Sequence, residues 1–247
     1  MVIMSKKNPI LNFFQSLCRF NFGVFETDEF KKFLKLGLIF ALIIGVYWTL
    51  RPLKDAIFIQ LVDKLHLPYA KTVSVIALLP LVMFYTKLLE KTSRERMLKI
   101  LPTFYGLSVL GFALAMFFVQ ASSETIANRT AFAYWGTKCL GYLWYVFVES
   151  FGSLVVALFW AFAADTTDPT SAKRGFPLVV AIGQMGGILS PYGIGGLPHR
   201  LGLTTDTLSM TLLGALILLI VPLVSYFLKT TPPHLLKAFQ GHNEKKE

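Results

Sequence analysis

The chain alternates long apolar runs with short breaks that hold most of its charges. A helix needs about 20 apolar residues to cross the hydrocarbon core of a bilayer. Six runs meet that measure: Phe33 to Leu50 with an apolar continuation to Val62, Tyr69 to Leu89, Leu98 to Val119, Tyr134 to Ala163, Phe176 to Gly196 and Leu208 to Leu228. The pattern predicts an all-α membrane protein with six transmembrane helices over residues 33–228. Residues 1–32 read as a cytoplasmic or interfacial lead-in, because Asn8 to Phe30 mixes aromatic and polar positions. Residues 229–247 read as a polar cytoplasmic tail, with Pro232 and Pro233 closing the last helix.

The breaks are not equally charged. Lys6, Lys7, Arg19, Lys31 and Lys32 precede the first run, and Lys87, Lys91, Arg94, Arg96 and Lys99 follow the second. Lys173 and Arg174 follow the fourth, and Lys229, Lys237, Lys245 and Lys246 follow the sixth. The alternate breaks hold mainly Lys64, Arg129 and Arg200. Excess Lys and Arg mark cytoplasmic loops, which predicts both termini in the cytoplasm. Arg51, Lys54 and Lys71 lie on the wrong side for that rule.

Composition agrees with a membrane protein. Charged residues are 15% of the chain, against about 25% in average protein usage. The net charge of +10 is spread between apolar spans rather than gathered on one face, so it fits loop orientation and not nucleic-acid binding. Cys18 and Cys139 give no disulfide framework. His66, His199, His234 and His242 are too dispersed to predict a metal site. No cleavable signal peptide is expected, since no small-residue cleavage pattern closes the first run.

Charge within the spans is what needs explaining, because an ionisable side chain at mid-helix costs roughly 2.5–3.5 kcal/mol on insertion scales. The stretch YWTLRPLKDAIFIQLV, Tyr47 to Val62, holds Arg51, Lys54 and Asp55 with Pro52 among them. Helical spacing puts Tyr47, Arg51, Lys54 and Phe58 in one stripe. Pro52 removes a backbone bond and predicts a kink. The stripe is either a cationic lining for a water-filled cavity or a helix end with snorkelling side chains. On the fourth run, Lys138, Tyr142, Tyr145, Glu149, Gly152 and Trp160 share a face. Glu149 falls near the midplane and calls for a cationic partner, Lys54 or Lys138. That pair is either part of a substrate pathway or an ion pair locking two helices. In the fifth run Gly183 and Gly187 predict close helix packing, and Gln184 and Ser190 predict helix–helix hydrogen bonds. Cations, tyrosines and one carboxylate together suit an anionic, partly aromatic solute. No nucleophile, base and oxyanion set can be drawn, so the chain does not read as an enzyme.

At these residues the sequence resembles the ATP/ADP translocases of plastids and obligate intracellular bacteria. The resemblance rests on LRPLKDAIF and on YVFVESFGSLVVALFWAFAADTTDPTSAKR. The matching positions are Arg51, Lys54, Asp55, Glu149, Gly152, Ser153, Phe159, Trp160, Ala172, Lys173 and Arg174. It implies the amino-terminal half of a major-facilitator-type transporter, in a bacterial inner membrane, exchanging ATP for ADP without a cofactor. It also implies that Lys54 and Glu149 are needed for transport and that Lys91, Arg94 and Arg96 occupy the place of a cytoplasmic gating loop. Joined to the polar stripe, it makes Arg51, Lys54, Lys138, Glu149, Tyr142 and Tyr145 the candidate substrate-binding residues. Pro52 departs from the family pattern, where a polar residue is expected. The family's chains carry a second six-helix half, so a second half or a homodimeric partner is expected to complete the site. Two other readings stay open: a proton-coupled importer of another anionic metabolite, with Glu149 as the proton site, and a non-transporting membrane subunit whose charges only hold helices together.

Overall fold

The computed structural model describes residues 26–121, 131–195 and 206–236. The lead-in up to residue 25, with Cys18, lies outside the described residues, as do Arg129, His199, Arg200, His242 and the tail from residue 237. The described chain is almost wholly helical. Its main helices are α1 (Thr27–Leu61), α2 (Leu67–Lys91), α3 (Arg94–Ala121), α4 (Ala131–Asp165), α5 (Pro169–Ser190) and α6 (Asp206–Thr230). All six are long and apolar enough to cross a membrane. Short turns precede α2 (Lys64–His66), extend α5 (Pro191–Gly195) and follow α6 (Pro233–Leu236).

Local chemistry explains several boundaries. Asp28 and Glu29 lie in the first turn of α1, where carboxylates favour the positive end of the helix dipole. The helix therefore starts ahead of Phe33, in charged sequence. It runs unbroken through Pro52, whose lost hydrogen bond does not end it. Asp168 caps α5 by accepting from the Thr170 amide at 3.1 Å, and Pro169 takes the first helical position. The bonds from Thr170 hold the Asp168 carboxyl below its ordinary range. Proline recurs inside α1, α2, α3, α5 and α6, whereas α4 has none. Hydroxyls within the helices bond back one turn, as Thr49 does to Gly45 O at 2.9 Å and Ser74 to Ala70 O at 2.8 Å.

Packing centres on α1, which touches α4, α5 and α6. The tightest crossing joins α1 to α5 through small residues. A methyl group at Gly45 would lie 2.8 Å from Ser190 Cβ and 3.0 Å from the Gly186 carbonyl. One at Gly186 would strike the Ala41 backbone. Gly183 and Gly187 also face α1, against Phe40 and Trp48. Thr49 and Ser190 share a hydrogen bond of 3.0 Å across the same crossing, the helix–helix role expected of Ser190. On the other side α3 meets α6 at Gly106 and Gly214, each within 3.2 Å of reaching the other's carbonyl with a Cβ. Between them lies an aromatic core, with Phe40 stacked on Phe159 at 4.8 Å and Trp160 edge-on to both. By contrast, α2 leans mainly on α4 and leaves Val75, Ile76, Leu79, Met83 and Phe84 exposed.

The basic end of the bundle is fastened by ion pairs and one buried lysine. Lys32 donates to Thr166 O, past the end of α4, and to Leu235 O at 3.1 Å, past the end of α6. Glu29 pairs with Arg174 at 3.4 Å.

Candidate functional site

The α1–α4 interface is built around Lys54 and Glu149. Small residues on α4 let the helices meet on both sides of the pair. Gly141 receives Val62 and Leu61, and Gly152 receives the ring of Tyr47. Phe58 wedges edge-on between Tyr142 at 5.3 Å and Tyr145 at 5.4 Å. Behind α4, Tyr105 of α3 shares a hydrogen bond of 2.6 Å with Ser150, which fixes the rotation of α4 next to Glu149.

Lys54 is only 4% exposed, and its ammonium donates to Glu149 Oε1. It also lies 4.1 Å above the Tyr145 ring and 4.0 Å from Asp55 Oδ1. Each contact compensates a charge removed from water. The Glu149 side chain keeps 35% exposure, so the pair is open from the carboxylate side. Arg51 is exposed one turn away, with its guanidinium 5.6 Å from the Trp48 ring. This arrangement can exchange one anion for another. An anion that displaced Glu149 would find Lys54, with Arg51 exposed beside it.

The other expected residues divide. Tyr145 joins the pair directly, while Tyr142 touches it only through Phe58. Lys138 stands apart. It contacts His66 Nε2 at 3.2 Å and the rings of Tyr134 and Trp135 at 5.6 and 5.5 Å. Eleven residues of helix put it roughly 16 Å from Glu149, so Lys54 and not Lys138 is the partner Glu149 called for. Trp160 belongs to the aromatic core. In the basic break, Arg94 pairs with Asp165 at the end of α4 and reaches Ala161 O at 3.4 Å, whereas Lys91 and Arg96 are exposed. Sequence reasoning did not single out Asp165. A carboxylate closing a long apolar helix was the available signal. Among the described residues, no group of three His, Cys, Asp or Glu side chains could hold a metal ion.

A family model described as TLC ATP/ADP transporter matches residues 8–226. The chain belongs to this family. Curated relatives agree with the assignment. The plastidic ATP/ADP-transporter of Solanum tuberosum is 30% identical over 168 residues, covering 62% of this chain and 27% of the relative. ADP,ATP carrier protein 2, chloroplastic, of Arabidopsis thaliana is 30% identical over 173 residues, covering 64% of this chain and 28% of the relative. ADP,ATP carrier protein 3 of Rickettsia bellii is 27% identical over 178 residues, covering 67% and 35%. The chain thus spans between about a quarter and a third of the curated relatives' length. No solved structure matches it. Within this TLC family chain, the α1–α4 charge cluster lies on the stretches that carried the resemblance.

Proposed function

We propose that the chain forms the amino-terminal six-helix half of a nucleotide pathway that exchanges ATP for ADP. The observation that carries this reading is the buried Lys54–Glu149 pair, open on its carboxylate side and flanked by exposed Arg51. In a family of ATP/ADP transporters, that geometry suits displacement of a carboxylate by a phosphate. Lys54 and Arg51 neutralise the phosphates, and Glu149 reclaims Lys54 when the nucleotide leaves. The re-formed pair locks the empty pathway, because parting it without a replacement anion strands buried charges. Exchange is thereby favoured over reorientation without cargo. Tyr142 and Tyr145 lend aromatic faces, and Lys91, Arg94 and Arg96 form the loop that controls the cytoplasmic end. The exposed apolar row on α2 and the exposed residues of α5 are the surfaces offered to a second six-helix half or a second copy. The charge bias supports an orientation with both termini in the cytoplasm, and the membrane of this reading is a bacterial inner membrane.

Uptake of labelled ATP by cells expressing the chain, alone and with a candidate second half, tests this. Wild type is expected to exchange external for internal nucleotide, and Lys54→Gln and Glu149→Gln each to lose most of that exchange. Wild-type uptake by Lys54→Gln overturns the assignment of the site. Uptake seen only with a separate second half removes the homodimer.

A further inference from the structure

Asp55 has no part in the exchange described so far, yet it is the second carboxylate beside Lys54. Its Oδ1 lies 4.0 Å from the Lys54 ammonium. That oxygen and the Tyr145 hydroxyl are both buried at the α1–α4 interface. Arg51, Asp55 and Glu149 all act electrostatically on that hydroxyl, so the five side chains form one cluster. Buried polar atoms normally find partners. Here the Tyr145 hydroxyl and the Asp55 carboxylate interact with each other, which leaves the Asp55 charge poised beside Lys54 on the same helix.

The ammonium of Lys54 has three donors, and Glu149 takes one of them. Asp55 and Lys54 are neighbours on α1, so their separation survives any movement of α4. Glu149 sits on α4 and leaves when the helices part. The charges also balance. Arg51 and Lys54 carry two positive charges, and Asp55 and Glu149 carry two negative ones. A polyanion entering this cluster meets a carboxylate carried on the same helix as Lys54.

We propose that Asp55 is the release residue of the pathway. It stays beside the Lys54 ammonium while nucleotide keeps Glu149 displaced, and its fixed charge keeps nucleotide binding weak enough for the nucleotide to leave. This rests on the nucleotide reading of the same site. A fixed like charge weakens the bound ground state, so its removal strengthens binding and slows turnover.

The test is Asp55→Asn in the full chain, assayed by exchange of labelled ATP and normalised to the amount of protein in the membrane. KM is expected to fall by about tenfold, the order of effect for one charge removed near an anion in a partly wet site. The maximal exchange rate is expected to fall with it, and Asp55→Glu to restore both toward wild type. Asp55→Ser carries the same expectation and replaces Asp55→Asn if that variant is not inserted. An unchanged or raised KM in the charge-removing variant overturns the proposal, as does a loss of membrane-inserted protein in every charge-removing variant, which would assign Asp55 a structural role. Wild-type chain that exchanges no nucleotide in any assembly sinks the nucleotide reading and Asp55 with it. Wild-type exchange with an unaffected Asp55→Asn sinks Asp55 alone.

Discussion

Lys54 holds a charge where water scarcely reaches it, and Glu149 is its counter-ion. Removing either partner strands the other, which is far more damaging than removing both. Lys54→Met and Glu149→Met are therefore each expected to lower the unfolding temperature in detergent. The double variant should recover part of the loss, with a coupling of roughly 0.5–3 kcal/mol. Strictly additive losses would deny the pair any energetic role. Both residues were legible in the sequence, because charges inside an apolar run stand out and a midplane carboxylate demands a cation. Of the two partners the sequence offered, Lys138 is the one not taken, for a definite reason. Helical periodicity reports which face a residue occupies, not how far along the axis it sits, and Lys138 shares the face of Glu149 but not its depth. Asp55 was visible as a charge, but its relation to the Tyr145 hydroxyl needs the packed interface.

Between elements, glycine sets how near α1 and α5 come. The sequence offered Gly183 and Gly187 as a close-packing pair, and both do face α1. The backbone contact itself falls on Gly186, against Ala41, with Gly45 opposite. The one-dimensional spacing could not reveal this, since it contains nothing of the partner helix's face. Gly186→Ala forces a methyl group onto backbone that no side-chain rotation can clear. It is expected to destabilise by about 1–3 kcal/mol, as overpacking does. Gly136→Ala, on α4 with open space around its Cβ position, should instead be neutral or stabilise by up to about 1 kcal/mol through helix propensity. Thermal unfolding of the two purified variants in one detergent compares them directly. Equal losses would refute the backbone-contact account.

Across the whole molecule, six spans could be counted from sequence because length and hydropathy are enough to find a membrane helix. Their arrangement could not, since a helix apolar on every side does not announce which side it buries. The exposed row on α2, Val75 to Phe84, reads like the buried row on α1, Phe33 to Ile43. The basic end is better marked, and it fixes the expected orientation. In a background with Cys18 and Cys139 replaced by serine, Lys64→Cys should react with a membrane-impermeant maleimide added outside intact cells. Lys173→Cys should react only after the cells are opened. Both positions are exposed, so access depends on the side of the membrane. The reverse pattern would invert the whole assignment.

The pairing of Lys54 with a residue 95 positions later also has a consequence for synthesis. A ribosome adding about 5–20 residues per second takes roughly 5–19 s to cover that distance. Throughout that interval α1 is already made and its counter-ion is not. Until then Asp55 is the carboxylate beside the ammonium on α1. An incompletely paired charge at that depth pulls its helix toward the headgroups, so α1 settles fully only when α4 arrives. That delay favours assembly of the chain as a bundle over insertion span by span.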